Sequence, residues 1–319
     1  MSASAKLQLS EFALDVAEGL SGASQKKLSP RYLYDDVGSV LFEAITLLPE
    51  YGLTRADERV LRRCASSIRS VTGPMRLAVE LGSGIGNKTL HVLRALAPPE
   101  VQLTYRPIDV SASALLACEK RLGDIADVQS VHADWMEGLE RVARERAPET
   151  PLLLLFLGSS IGNLERENIT AFLERVRLQL RPGDFFLMGA DLVKDVEEMV
   201  AAYDDPIGVT AAFNLNLLSR MNRELGANFD VRAFAHEVRW IEKDRRIEMH
   251  LVSTRTQRVF ISCLESAFDF EEGETIWTES SHKFTEIELE RYAYASGFQP
   301  MRTWIDSHWR FAEVLWWVP

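Results

Sequence analysis

Three acids, each closing an apolar run, carry the chemistry that is legible first. Glu80 ends the run Leu77-Ala78-Val79 and precedes glycines at 82, 84 and 86 and a helix-like segment from Lys88 to Leu96. Glycines permit a tight turn and let a ligand approach the backbone where a Cβ would clash. The N–H groups at the start of the following helix suit an anionic or polar ligand. Asp109 closes a second run, where a carboxylate can accept from both hydroxyls of a ribose. Asp134 closes a third, suited to an adenine amino group, and Trp135 beside it could cover the ring. A single acid at a strand end is more often a solvated loop residue; three at successive strand ends point to a bound nucleoside. The dinucleotide fingerprint G-x-G-x-x-G would need glycine where Asn87 stands.

Such residues need a scaffold that collects strand ends, and the chain supplies one. Apolar runs ending at Glu80, at Asp109 (Leu103 to Val110), at Asp134 (Val128 to Ala133), at Leu157 (from Leu152) and at Asp191 (Phe185 to Ala190) read as five strands. Helical segments lie between them, near 88–96, 111–122, 136–146 and 165–180, and Pro182-Gly183-Asp184 is a turn. This βαβ series predicts an α/β, Rossmann-like, doubly wound parallel sheet, whose ligands bind at the carboxyl ends of the strands. The loop after the fourth strand is Gly158-Ser-Ser-Ile-Gly-Asn163 rather than the Asn/Asp-Pro-Pro-Tyr type, so a flipped base is not indicated. The Asn163 amide can donate to and accept from a small polar substrate, or it can cap the helix at 165.

After Asp191 the alternation breaks. Val209 to Leu225 reads as a helix, and three strand-like runs follow (236–240, 246–254, 258–268), so residues about 200–283 form an inserted α+β region. A helix over 286–295 and closing strands over 299–305 and 309–318 resume the core. Upstream, Leu9 to Leu20 and Ala56 to Ser70 have helical spacing. Tyr34, Phe42 and Tyr51 lie between them, near loop signals at Asp35-Asp36, Gly38 and Pro49. An aromatic cluster of that kind is ordinarily core.

Composition excludes several classes. The 319 residues suit one large domain or two unequal ones, and 46% apolar with 26% charged residues is ordinary for a soluble protein. A net charge of −11 disfavours a nucleic-acid partner. Cys64, Cys118 and Cys263 suggest neither a disulfide framework nor a zinc site, and the six histidines lack metal-like spacing, so no metal is expected. No apolar run reaches the length of a membrane span and the N-terminus lacks a leader's apolar region, so a cytoplasmic location is expected.

Glu80-Leu-Gly-Ser-Gly after the first strand is the arrangement used by S-adenosylmethionine (SAM) methyltransferases, and with Asp109 and Asp134 it favours SAM over NAD. Further motifs are Tyr34-Asp-x-Val-Gly-Ser, Leu48-Pro-Glu-Tyr51, Phe156-Leu-Gly-Ser-x-Ile-Gly-Asn163 and Gly189-x-Asp-Leu-Val-Lys-Asp195. To these are added Ala202-Tyr-Asp-Asp205, Arg246-Ile-Glu-Met249 and Thr278-Glu-x-Ser-x-Lys-Phe284. From about Leu28 to the C-terminus the chain resembles the SAM-dependent histidine Nα-methyltransferases that make hercynine in ergothioneine biosynthesis.

The resemblance implies a class I methyltransferase fold with a mostly parallel seven-stranded sheet. Residues 61–200 and 284–319 would form the SAM-binding core, and 1–60 and 201–283 a substrate-binding domain. It implies Tyr34, Glu80, Gly82, Gly84, Lys88, Asp109, Asp134 and Trp135 at the SAM, Trp135 standing where the family has phenylalanine. Asn163 and Tyr203 would hold the substrate's α-carboxylate, and Tyr51 would lie beside its amine as the catalytic residue. Glu279 and Ser281 would grip the imidazole, with Met249 packed against it and Phe42 and Gly158 lining the substrate. The partner would be a small molecule, L-histidine, and the family leans to a monomer. Rival readings are a relative acting on a tryptophan derivative, against which Glu279 and Met249 argue, and a SAM-binding module without turnover.

Overall fold

The computed structural model describes residues 9–22, 24–97 and 102–319. The chain divides into two compact units, one of Met1–Leu47, Val200–Ile241 and Ile247–Ser280, the other of Leu48–Met199, Glu242–Arg246 and Ser281–Pro319.

The second unit holds the large sheet. Its strands are β1 (Leu77–Leu81), β2 (Thr104–Asp109), β3 (Asp127–Val128), β4 (Val131–His132), β5 (Leu152–Phe156), β6 (Phe185–Asp191), β7 (Gln299–Ile305) and β8 (Phe311–Trp317). They lie in the order β7-β8-β6-β5-β1-β2, with β3 and β4 both on the free edge of β2. Pairing is parallel from β6 to β4, and β8 runs antiparallel to both β6 and β7. The expected closing pair is therefore present. The single strand expected over 128–133 is two pieces, separated at Gln129-Ser130, where the polar edge of the sheet leaves the ladder.

Period-2 alternation divides the apolar side chains between two faces. Val79, Leu154, Phe156, Phe186 and Met188 pack with residues of helices Trp135–Glu145, Arg166–Gln179 and Glu286–Ala295. Ala78, Leu153, Leu155, Phe185 and Leu187 pack with those of Gly52–Thr72, Thr89–Leu96 and Ala112–Leu122. Central strands thus read as continuous apolar runs because both faces are covered. The chain reversal before β6 is fixed by buried Asp184, which accepts from the Arg181 and Leu152 N–H groups and pairs with Arg146 at 2.7 Å.

The first unit carries a small sheet in the order Lys26–Lys27, Thr275–His282, Arg246–Ser253, Phe234–Ile241, and a helix, Val209–Leu225. One expectation needs correction here, and two elements had no expectation. Residues 36–46, where only loop signals at Asp35-Asp36 and Gly38 were legible, are a helix: Asp35 is its N-cap, its Oδ1 accepting from the Gly38 N–H at 2.7 Å. The run 258–268 is a hairpin, Gln257–Ile261 with Ser266–Phe270, turning at Glu265 with positive φ. The strand Thr275–His282 has too few apolar residues for an alternating pattern, yet most of it is buried.

Helix Gly52–Thr72 begins four residues before the expected start, and its first residue has a steric reason to be glycine. A Cβ on Gly52 would fall inside the Trp309 indole. Gly52→Ala is expected to destabilise the protein by about 1–3 kcal/mol through overpacking, read as a fall in Tm, whereas Ala65→Gly on the same helix should cost only about 1 kcal/mol.

Candidate active site

The carboxyl ends of β1, β2 and β4 bring together the residues expected to hold a nucleoside. Gly82 and Gly84 have φ of +69° and +52°, and a Cβ on Gly82 would lie 3.1 Å from the Trp135 indole nitrogen. Trp135 is braced edge-on by Phe156 and Phe172. Asp109 receives the N–H groups of Gly84 and Ser111, each at 2.9 Å, so it also locks the glycine turn. Burial raises its carboxyl above the usual range, against the pull of those two donors. Asp134 caps the helix Trp135–Glu145, both capping bonds falling on its Oδ1.

Glu80 is buried, with its Oε2 accepting from Thr89 Oγ1 at 2.7 Å and from the Tyr105 hydroxyl. Burial pushes its carboxyl up to about 7, although Tyr105, Thr89 and Lys88 all pull it down. A cationic ligand group is what such a carboxylate lacks. Beside it, Asp57 accepts from Lys88 Nζ and from the Gly158 N–H at 3.0 Å. Burial pulls Lys88 down, but the Asp57 carboxylate outweighs it and holds the ammonium above its ordinary value. Glu313, on β8, is raised well above its ordinary value by burial and by the neighbouring Asp57. Gly189 makes room for it, because a Cβ there would lie 2.8 Å from Glu313 Oε1. Sequence reading passed over Asp57 and Glu313; the signal was an acid inside an otherwise apolar helix face or strand.

A second buried cluster surrounds Asp191. Its Oδ1 accepts from Lys194 Nζ at 2.5 Å and Trp309 Nε1 at 3.1 Å, and its Oδ2 pairs with Lys283 Nζ at 2.9 Å. Burial would raise Asp191, but the two lysines hold it below its ordinary value. Lys283 also donates to Ser281 Oγ at 2.9 Å. The Asp191 N–H donates to Ser159 Oγ at 2.9 Å, which fixes the loop leading through the short helix Ser160–Asn163. Asn163 is the last residue of that short helix and does not cap the next one, whose N-cap is Glu165, so of the two structural readings of the asparagine, cap or turn residue, the turn residue stands. Tyr51 is buried at the start of helix Gly52–Thr72, and Arg55 pins its turn through the Leu48 and Pro49 carbonyls.

In the other unit, Tyr34 packs edge-on against Phe42 and Phe213, each 5.5 Å away, so Phe213 joins the expected pair. Tyr203 is buried, and its carbonyl accepts from His236 Nε2 at 2.9 Å. That bond puts the proton on Nε2 and leaves Nδ1 to accept from Asn214 at 3.0 Å. Burial lowers His236, consistent with a neutral ring. Met249 is buried, with its carbonyl receiving Thr278 Oγ1, and Glu279 is buried on the neighbouring strand. Sixteen expected residues are thus divided: Tyr34, Phe42, Tyr203, Met249 and Glu279 in this unit, and the rest in the sheet unit.

Comparison with known proteins bears on this arrangement. The family described as "Histidine-specific methyltransferase, SAM-dependent" matches residues 12–318. A "Histidine N-alpha-methyltransferase" of Mycobacterium tuberculosis is 42% identical over 92% of this chain and 90% of its own. "Ergothioneine biosynthesis protein 1" of Neurospora crassa is 28% identical over 88% of this chain, which spans 32% of that longer protein. Among solved structures, a SAM-dependent methyltransferase from Clostridium acetobutylicum has a TM-score of 0.48 and 13% identity, covering 87% of this chain and 97% of its own.

The donor set fits SAM: glycines where the backbone must be approached, an indole and two carboxylates for the adenosine, and a buried carboxylate for the cationic amino acid end. Glu80→Gln tests the last of these. Folding retains the Glu80 proton up to about pH 7 against 4.5 for the solvent-exposed group of the unfolded chain, so wild-type stability falls as pH rises through that window. The variant should therefore gain Tm relative to wild type between pH 4.5 and 7.5, by several degrees, while its SAM affinity drops at least tenfold by calorimetry. A parallel loss of both would assign Glu80 a purely structural role.

Proposed function

We propose, from the premise that this chain belongs to the SAM-dependent histidine-specific methyltransferase family, that it trimethylates the α-amino nitrogen of L-histidine to hercynine, the first step of ergothioneine biosynthesis. The single observation that carries the substrate is the buried polar segment Thr278–Lys283, in which Glu279 and Ser281 alternate along one strand. Side chains two apart leave a strand on the same side. A carboxylate and a hydroxyl so paired suit a ring with two nitrogens; an indole offers one N–H and no acceptor.

SAM supplies a methyl group made electrophilic by its sulfonium. The protein's part is alignment, since an in-line displacement needs a positioned neutral amine and no covalent nucleophile. Asn163 and Tyr203 take the α-carboxylate, and the Tyr51 hydroxyl orients the amine lone pair. Lys88, tethered to Asp57, stands beside Gly158. The faces of Tyr34 and Phe42 receive a nitrogen that ends as a permanent cation, an interaction of about 0.5–2 kcal/mol. Among the described residues no helix is long and apolar enough to cross a membrane, and three free thiols suit the reducing cytoplasm.

Incubation with SAM and an equimolar mixture of the common amino acids, read by mass spectrometry, should show up to three methyl groups on histidine and none elsewhere. Methylation of another amino acid would leave the cofactor reading standing and remove the substrate. Tyr51→Phe is expected to lower kcat by about tenfold, the worth of one hydrogen bond, with the histidine KM little changed. Glu279→Ala should raise the histidine KM by roughly 10–100-fold, the worth of a hydrogen bond to a charged group, and narrow the preference for histidine over tryptophan. Unchanged selectivity would remove Glu279 from the recognition set.

A further inference from the structure

Helix Val209–Leu225 carries a polar side chain where its apolar face is buried. Asn214 is fully buried, as are Phe213, Leu217, Leu218 and Met221 of the same helix, and an amide in that setting is costly unless it is hydrogen-bonded. Its Nδ2 donates to the His250 carbonyl at 3.1 Å and lies 3.0 Å from His236 Nδ1. Its oxygen finds no hydrogen-bond partner among the described residues, so the amide serves through its N–H groups. The His250 carbonyl fixes which way the amide faces, since turning it over would set two oxygens against each other. With an NH2 group facing it, His236 Nδ1 has to be bare, and the ring hydrogen sits on Nε2. From there it is given to the Tyr203 carbonyl at 2.9 Å. Burial lowers His236 against the pull of that carbonyl and of Asp204 and Asp205, in keeping with a neutral ring.

The same helix holds the other side of the Tyr203 turn. Asp205 accepts from the Val209 and Thr210 N–H groups, at 3.0 and 2.7 Å. Thr210 lies one helical turn before Asn214, on the same face. The Tyr203 and Asp204 N–H groups donate to the Val200 carbonyl at 2.9 and 3.1 Å. Tyr203 is thereby closed into a ring of bonds: through Asp205 to the helix, through Asn214 to His236, and back to its own carbonyl. All of these residues lie in one compact unit. From this geometry we propose that His236 is a positioning residue for substrate binding, which with Asn214 holds the Tyr203 backbone so that the tyrosine side chain meets the substrate's carboxylate. The inference rests on the reading that Tyr203 takes that carboxylate. His236 itself does not touch the substrate. Without its Nε2–H the turn loses a fixed donor and can shift, and a binding group whose support is loosened binds less well.

The test compares two ligands that share an imidazole and an amine: L-histidine, and histamine, which lacks the carboxylate. Binding of each to the protein saturated with S-adenosylhomocysteine is measured by calorimetry at a pH where free imidazole is neutral. The readout is the preference for L-histidine over histamine, because a general loosening of the fold weakens both ligands and leaves that ratio unmoved. Tyr203→Phe removes the hydroxyl and is expected to lower the preference about tenfold. His236→Phe keeps a ring without its nitrogens and should lower the preference about fivefold, with histamine affinity within about twofold of wild type. His236→Gln, whose amide N–H can still reach the Tyr203 carbonyl, should regain most of that loss. Adding His236→Phe to Tyr203→Phe should lower the preference no further, since both act through one group; a further drop would place the action of His236 elsewhere and overturn the inference. If His236→Phe weakens both ligands alike, or neither, the inference fails and the reading of Tyr203 survives. If Tyr203→Phe keeps the full preference, the assignment of Tyr203 to the carboxylate fails, and the inference with it. Should His236→Phe not fold, His236→Leu is read by the same criterion.

Discussion

The buried carboxylate of Asp191 is the constraint on which the substrate side of the sheet unit depends. A lone ionised carboxylate in that setting would be costly, and two lysines and an indole N–H offset the cost. The partners are what matter. Through Lys283 the carboxylate reaches Ser281; through Trp309 it reaches Gly52, against which the indole packs, and so the turn that carries Tyr51. Its own backbone holds the Ser159 hydroxyl on one side and the Phe284 N–H on the other. Loss of the carboxylate would leave two buried ammonium groups and loosen three segments at once.

A similar device underlies the cofactor side, with the sign reversed. Asp57, Glu80 and Glu313 meet around one partly buried lysine, and burial together with the crowding of acids pushes the Glu80 and Glu313 carboxyls up. Two clusters of buried charge thus stand in one unit. Both lie at the carboxyl ends of parallel strands, where an open α/β sheet leaves room for ligands. Burying titratable groups in this way lowers stability, a cost that proteins concentrate where binding needs it.

How much of this was legible followed from how each feature is encoded. The sheet was, because strands covered on both faces must be continuous apolar runs, and Leu152–Phe156 can be little else. Asp109 and Asp134 were, because an acid directly after such a run marks a strand end. The helix Asp36–Thr46 was not: Asp35 and Gly38, which look like loop formers, are its cap and a residue that close packing keeps small. Asp57 and Glu313 were missed for a deeper reason. A buried charge has the residue type of a surface position, and only its place within an apolar helix face or strand marks it in the sequence, while its partners lie far away along the chain.

The strand Thr275–His282 shows where the two kinds of information part. Periodicity is a record of burial by apolar contact, and a segment that is buried for its polar groups leaves no such record. Thr278, Ser280, Ser281 and His282 are each at most 5% exposed, an arrangement unstable in an ordinary core unless every donor and acceptor is matched. A strand built this way carries a fixed pattern of donors and acceptors, and such a pattern can reject a ligand of the right size but the wrong polarity, because the mismatch leaves buried groups unpaired. Size discrimination in an apolar pocket is limited to about 1–3 kcal/mol per methylene. Histidine, whose ring differs from other small aromatic rings chiefly in where its nitrogens stand, is a substrate that only the polar solution can single out.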